Sequence, residues 1–246
     1  MTTCPKLEDT VTGQDYFSEE LPYITIEEGA VPPFQEEGCM EFRLLYTGYL
    51  PPHSENASML QVKHDIRREF LPQMRQLWKA HPNLQQYLLF RGCHVAGNVQ
   101  NLSQEEIRES GVASIADTWR VNGFRFLPLI EERFCLACSL DILFLRVGAP
   151  GSLIKNGDID NRIKTLFDAL KMPKGNELGG LVPQDGEDPF YCLLEDDKLI
   201  SEVKVTTDRL LWPSDKAMRG KKFDAHVVIS IKAVPTQLNS HSHVFQ

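Results

Sequence analysis

The chain has no run approaching the roughly 18 to 20 consecutive apolar residues of a membrane-spanning helix, so membrane association is not expected. Nor has it an excess of base: 26 Lys and Arg against 34 Asp and Glu leave a formal charge of -8, which excludes nucleic-acid binding by bulk positive charge alone. Cysteine is scarce and scattered, at positions 4, 39, 93, 135, 138 and 192. Cys135 and Cys138 form a C-x-x-C without the second pair that a structural zinc site needs, and they lie in the apolar run FCLACSLDILFL, so both read as buried thiols. The N-terminal stretch lacks the basic and apolar regions of a signal peptide, and with few cysteines this points to the cytoplasm. There is no internal repeat.

What is present is a 246-residue chain, 42% hydrophobic and 24% charged, long enough to bury a core without disulfide or metal staples. Its acidity is local. Residues 1–38 hold nine carboxylates and one base, Lys6, while the remaining residues hold 25 of each sign. The acidic leader reads as a solvated arm, a self-masking segment or the binding site of a protein partner, attached to a formally neutral body.

Strand formers fill 40–50 and stop at Pro51 and Pro52. From Ser54, a candidate N-cap, Met59, Val62, Ile66, Phe70, Met74 and Leu77 recur every three or four residues and predict a helix, kinked or split at Pro72. Lys63, Arg67, Arg68, Arg75 and Lys79 then read as its solvated face. A short helix is expected over 102–111, closed by Gly111, with a further turn or helix over 113–119. Central sheet is expected over 124–147, as one bent strand or two. Residues 157–171 predict an amphipathic helix with Ile163, Leu166, Phe167 and Leu170 inside, followed by a mobile Gly- and Pro-rich loop up to about 190. A strand, an acidic turn and a strand follow, and Phe223, Ala225, Val227, Ile229 and Ile231 alternate along the last one.

The polar side of the helix over 157–171 carries the chemistry. Asp160, Lys164 and Asp168 stand at i, i+4 and i+8, and Asp158 precedes them at the helix mouth. Carboxylates gathered this closely ask for a cation between them, and Asp196 and Asp197 offer further oxygen ligands of the kind Mg²⁺ or Mn²⁺ accepts. Lys164 suits a phosphate oxygen or a developing negative charge. The bland alternative, an Asp that caps a helix and an i, i+4 pair on a solvated face, accounts for the same spacing.

The string Asp158-Ile159-Asp160-Asn161, with Lys164 and then Asp168-Ala169-Leu170, resembles the signature of the RusA-like Holliday junction resolvases, or crossover junction endodeoxyribonucleases. Asp196-Asp197 followed by the apolar segment 199–205 is similar to the acidic pair that comes after the helix in that family. The resemblance implies an α+β fold, a compact mixed β-sheet packed with helices. Residues 39–234 would form the endonuclease domain, with an acidic extension over 1–38, insertions around 80–120 and 171–194, and a flexible tail over 235–246. It also implies metal-binding and catalytic roles for Asp158, Asp160 and Asp197, a catalytic role for Lys164, and supporting roles for Asn161, Asp168 and Asp196. Mg²⁺, with Mn²⁺ as a substitute, would be the cofactor of a homodimer acting on branched DNA.

The function expected is therefore Mg²⁺-dependent hydrolysis of phosphodiester bonds at four-way DNA junctions in recombination or repair. The alternative is a noncatalytic nucleic-acid or protein-binding regulator on the same scaffold. Because the carboxylate cluster repels phosphate, DNA contacts are expected elsewhere: Arg67, Arg68 and Arg75; Arg120, Arg125 and Lys155; and Lys216, Arg219, Lys221 and Lys222.

Overall fold

The computed structural model describes residues 40–54, 58–97, 99–146, 158–211 and 224–237, all within the unit Gly38–Gln246. It is an α+β fold in which helices pack against a mixed sheet and a smaller second one. In chain order the elements are β1 (Glu41–Tyr49), α1 (Ser58–Ala80), α2 (Pro82–Ala96), α3 (Gln104–Thr118), β2 (Arg120–Val121), β3 (Phe124–Ile130) and β4 (Leu136–Arg146). There follow α4 (Asp158–Leu170), β5 (Phe190–Leu194), β6 (Ile200–Arg209) and β7 (Asp224–Pro235).

The larger sheet has the order β1-β7-β4-β6, with β7 antiparallel to both neighbours and β4 parallel to β6. Strict alternation makes one face of it core: Leu44 and Tyr46 from β1, Leu140, Ile142 and Phe144 from β4, and Val227, Ile229 and Ile231 from β7 are all buried. The smaller sheet, β2-β3-β5, pairs β3 parallel to β5, and both strands are buried almost throughout. The segment 124–147 is thus two strands in two different sheets. Between them a short 3-10 turn, Glu132–Phe134, ends at Cys135 in the left-handed region with φ 52°. Cys138 is buried as read from the apolar run, whereas Cys135 sits half-buried at that turn.

Helix α1 lies against β1, β5 and α4. It passes through Pro72 without interruption; its described part begins at Ser58, and residues 55–57, which would join it to the expected cap at Ser54, lie outside the described residues. Ile66, Phe70, Met74 and Trp78 sink into one core on both sides of the proline, and this packing outweighs the lost backbone hydrogen bond. The basic face of α1 divides. Arg68, Arg75 and Lys79 keep some solvent contact, but Lys63 and Arg67 are buried at 6% and 1% exposure.

Residues 80–120 form a helical hairpin. Helix α3 does not stop at Gly111 but runs to Thr118, opened by a capping box between Ser103 and Glu106. Gly111 is there for closeness: a Cβ on it would come within 2.3 Å of the Leu88 carbonyl oxygen, and one on Gly92 within 1.8 Å of the Ile107 oxygen. The two glycines let the backbones of α2 and α3 touch. The β2–β3 turn is Asn122-Gly123 with φ 47° and 85°, both left-handed.

The stretch after α4, expected to be mobile, is fastened to the body. Arg68 pairs with buried Glu187, Arg75 donates to the Gly186 carbonyl, Leu178 is buried, and Asn122 donates to the Gly175 carbonyl at 2.7 Å. Among the described residues no helix is long and apolar enough to cross a membrane.

Candidate active site

Helix α4 is amphipathic in the predicted register: Ile163, Leu166, Ala169 and Leu170 are buried, while Asp160, Asn161 and Lys164 are exposed. Steps of four residues advance about 6 Å along the axis and turn the ridge by about 40° each time. The ridge from Asp160 through Lys164 to Asp168 therefore winds off the solvent face and under α1. Asp168 ends with 7% side-chain exposure, whereas Asp160 remains in water, about 12 Å up the axis.

Three basic side chains converge on the Asp168 carboxylate. Lys63 Nζ from α1 is 2.7 Å from Oδ2, His53 Nδ1 from the loop after β1 is 3.2 Å from the same oxygen, and Lys171 Nζ is 3.4 Å from Oδ1. Arg67 adds a hydrogen bond to the Asp168 backbone carbonyl at 2.6 Å. Burial alone would push the Asp168 carboxyl up, but the hydrogen bonds and charges of Lys63 and Lys171 hold it below the usual range. For Lys171 burial acts downward, and the hydrogen bond to Asp197 with the charges of Asp197 and Asp168 raises it above the ordinary lysine value. His53 is held down, first by burial and then by Lys63 and Lys164, so a neutral imidazole is favoured between them.

Lys171 carries the network to the second acidic segment. Its Nζ lies 3.0 Å from Asp197 Oδ2, and Met172 N donates to the Leu194 carbonyl at 2.7 Å, which pins the end of α4 beside β5. Asp197 begins the short 3-10 turn Asp197–Leu199 that leads into β6. Asp196 caps this turn by accepting from Lys198 N at 3.1 Å, and that backbone hydrogen bond leads the causes that lower its carboxyl. Lys174 is 3.8 Å from the other Asp196 oxygen. The loop of Pro51, Pro52 and His53 closes over α4, with His53 N donating to the Asn161 carbonyl at 2.9 Å and Arg162 donating to the Leu50 carbonyl.

Asp168, Asp196 and Asp197 are thus drawn to one end of α4. Asp160, Asn161 and Lys164 occupy the other end, on its exposed face. Asp158 opens the helix, with its side chain outside the described residues. Asp160 and Lys164 have no ion-pair partner among the described residues. Among those residues no group of three or more His, Cys, Asp or Glu side chains able to hold a metal ion is found. Asp160 and Asp197 nevertheless offer hard carboxylate oxygens, which suit Mg²⁺.

The arginines expected to contact DNA are engaged within the protein. Arg67 is buried and presents no surface to a phosphate. Arg68 holds Glu187, Arg75 lies 5.6 Å from the centre of the Tyr191 ring, Arg120 pairs with Asp117, and Arg125 grips both Asp188 oxygens at 2.7 and 2.9 Å. Lys155, Lys216, Arg219, Lys221 and Lys222 lie outside the described residues.

The residues missed from sequence are His53, Lys63 and Lys171. Lys171 carried a signal, since it follows Asp168 at i+3 in a charge-complementary pair. Lys63 stands one turn after Met59 and three residues before Ile66, beside the apolar stripe of α1, where a base is drawn inward if it finds an acid. No protein-family model matches the chain, and neither the curated proteins nor the solved structures searched hold a match to it.

Proposed function

We propose that the protein is a divalent-metal-dependent endonuclease of RusA-like character that cuts branched DNA, four-way junctions first among them. The observation that carries this reading is the Lys171 bridge: it draws Asp197, 29 residues beyond Asp168, back to the helix that bears Asp160 and Lys164. The acidic segment after β5 is thereby fastened to the end of the same helix, about two turns from Asp160 and Lys164. Asp160, with Asp158 at the open mouth of α4, would hold the cation, with waters and phosphate oxygens as its further ligands. Bound there, the cation would supply Lewis acidity and a water more easily deprotonated at neutral pH.

The side chains of the protein do the rest. Lys164, exposed one turn below Asp160, offers an ammonium to the phosphoryl oxygens as charge builds on them. Asp168 and Lys171 orient Asp197, and Asp196 stiffens its turn. The loop that bears His53 is held against α4 by the hydrogen bond from His53 N to the Asn161 carbonyl.

Manganese binding followed by electron paramagnetic resonance tests the site without reference to turnover. The free-ion signal is expected to fall on addition of protein, and Asp160→Asn is expected to raise the apparent Kd about tenfold or more. Wild-type protein that leaves the signal unchanged, with four-way-junction DNA present, would overturn the reading.

A further inference from the structure

His53 belongs to no part of the acidic pattern, yet it stands where that pattern meets solvent. Its backbone N–H donates to the Asn161 carbonyl at 2.9 Å, one residue past Asp160, and its ring reaches the Asp168 carboxylate about two turns further along α4. The ring therefore lies along the stretch of helix that carries Lys164. Burial, then the charges of Lys63 and Lys164, depress its basicity, and Asp168 opposes them without prevailing. Asp160 and Lys164 are both exposed on this stretch.

The two ring nitrogens have different surroundings. Nδ1 is closed off from water and faces Asp168 Oδ2 at 3.2 Å. That carboxylate, with Lys63 at 2.7 Å and Lys171 at 3.4 Å, is ionised and held from two sides. Only a protonated Nδ1 meets it without setting lone pair against lone pair, so the neutral ring carries its one proton there and leaves Nε2 as an acceptor. The side chain keeps 15% exposure, and with Nδ1 buried it is the Nε2 edge that solvent reaches. A buried acid behind an imidazole whose far nitrogen is open is the arrangement by which imidazoles take protons from reacting groups.

We propose that His53 is a general base of this site, with Asp168 as the residue that positions it. The assignment rests on the nuclease reading and deepens it. Nε2 takes a proton from the attacking water as the water oxygen bonds to phosphorus. The bond from phosphorus to the departing ester oxygen breaks, its electron pair stays on that oxygen, and a proton from solvent neutralises it. The imidazolium then gives its proton to bulk water, a return that the facing ammonium groups of Lys63 and Lys164 favour.

His53→Asn keeps an N–H donor for Asp168 and removes the base. The variant is expected to bind four-way-junction DNA and to unfold in urea as wild type does, while its single-turnover cleavage rate in Mg²⁺ falls about 100-fold or more. A side chain that served only to hold the loop would be replaced by asparagine without this loss. By NMR, with the variant supplying the assignment, the wild-type ring is expected to titrate below 6.5 and to carry its neutral-form proton on Nδ1. Below that midpoint the wild-type rate is expected to drop about tenfold per pH unit, a limb that His53→Asn loses. A neutral ring protonated on Nε2, or a variant that cleaves at the wild-type rate, would overturn the proposal and leave the nuclease reading standing. Wild type that cuts no DNA would bring down both.

Discussion

Asp168 has 7% side-chain exposure and two ammonium neighbours besides the His53 imidazole, an arrangement whose stability depends on all its members. Removing the carboxylate charge leaves Lys63 and Lys171 facing an amide out of water. Asp168→Asn is therefore expected to cost about 3–5 kcal/mol in urea denaturation, and Lys63→Met about 1–3, since His53 and Lys171 still answer the acid. Two other buried groups respond to pH in opposite senses. Burial, aided by Arg68 and Arg67, depresses His64 to about 4 from 6.5, and its ring lies against Phe124 and Phe190 with no hydrogen bond to either nitrogen. Burial raises Glu131 to about 7 from 4.5, although Arg133 and Trp119 oppose the shift. The unfolded chain binds the extra proton at His64, so that contribution is lost as pH falls from 6.5 to 4. The folded chain binds it at Glu131, so that contribution is lost as pH rises from 4.5 to 7. The two slopes offset each other in the wild type. Glu131→Gln is expected to expose a fall of about 3 kcal/mol on acidification, and His64→Phe a fall of similar size on going to neutrality, both measured as urea midpoints against pH.

The closest constraint between elements is the α2–α3 crossing. Gly92→Ala and Gly111→Ala each force backbone apart from backbone, and each is expected to lower stability by about 3 kcal/mol. Once one alanine has separated the helices the second meets less resistance, so the double variant is expected to cost less than the sum of the singles in the same denaturation assay. This crossing also shows where sequence reasoning stopped. Gly111 has the look of a helix terminator because glycine commonly is one, and only the approach of Leu88, 23 positions away, reveals its purpose. Helix α4 was legible because its apolar residues recur at three and four and nothing long-range contradicts them. So were the strand, acidic turn and strand of β5, Asp196-Asp197 and β6. Asn122-Gly123 is itself a hairpin signal in the sequence, since both residues accept the left-handed backbone that the turn requires. The burial of Lys63 and Arg67 was not legible, for the group that draws them in lies about a hundred residues further along the chain.

At the scale of the whole molecule, a mixed sheet and a helical layer hold α4 between α1 and β5, so that its acidic ridge begins in solvent and ends in a buried ionic network. The acidic segments of the candidate site were readable as residue types; their division was not. Asp168, Asp196 and Asp197 gather around Lys171, while Asp160 and Lys164 stay open about two turns away, a separation set by the winding of the helix. The same winding leaves Asp160 and Lys164 free to meet a substrate that approaches from solvent. Cleavage of labelled four-way junction, flap, duplex and single-stranded DNA in Mg²⁺, Mn²⁺ and EDTA, by wild type and by Asp160→Asn, tests this account most directly. Metal-dependent cuts concentrated on the four-way junction and lost in Asp160→Asn are the predicted result; folded, metal-replete wild type that leaves every one of these DNAs intact would contradict it.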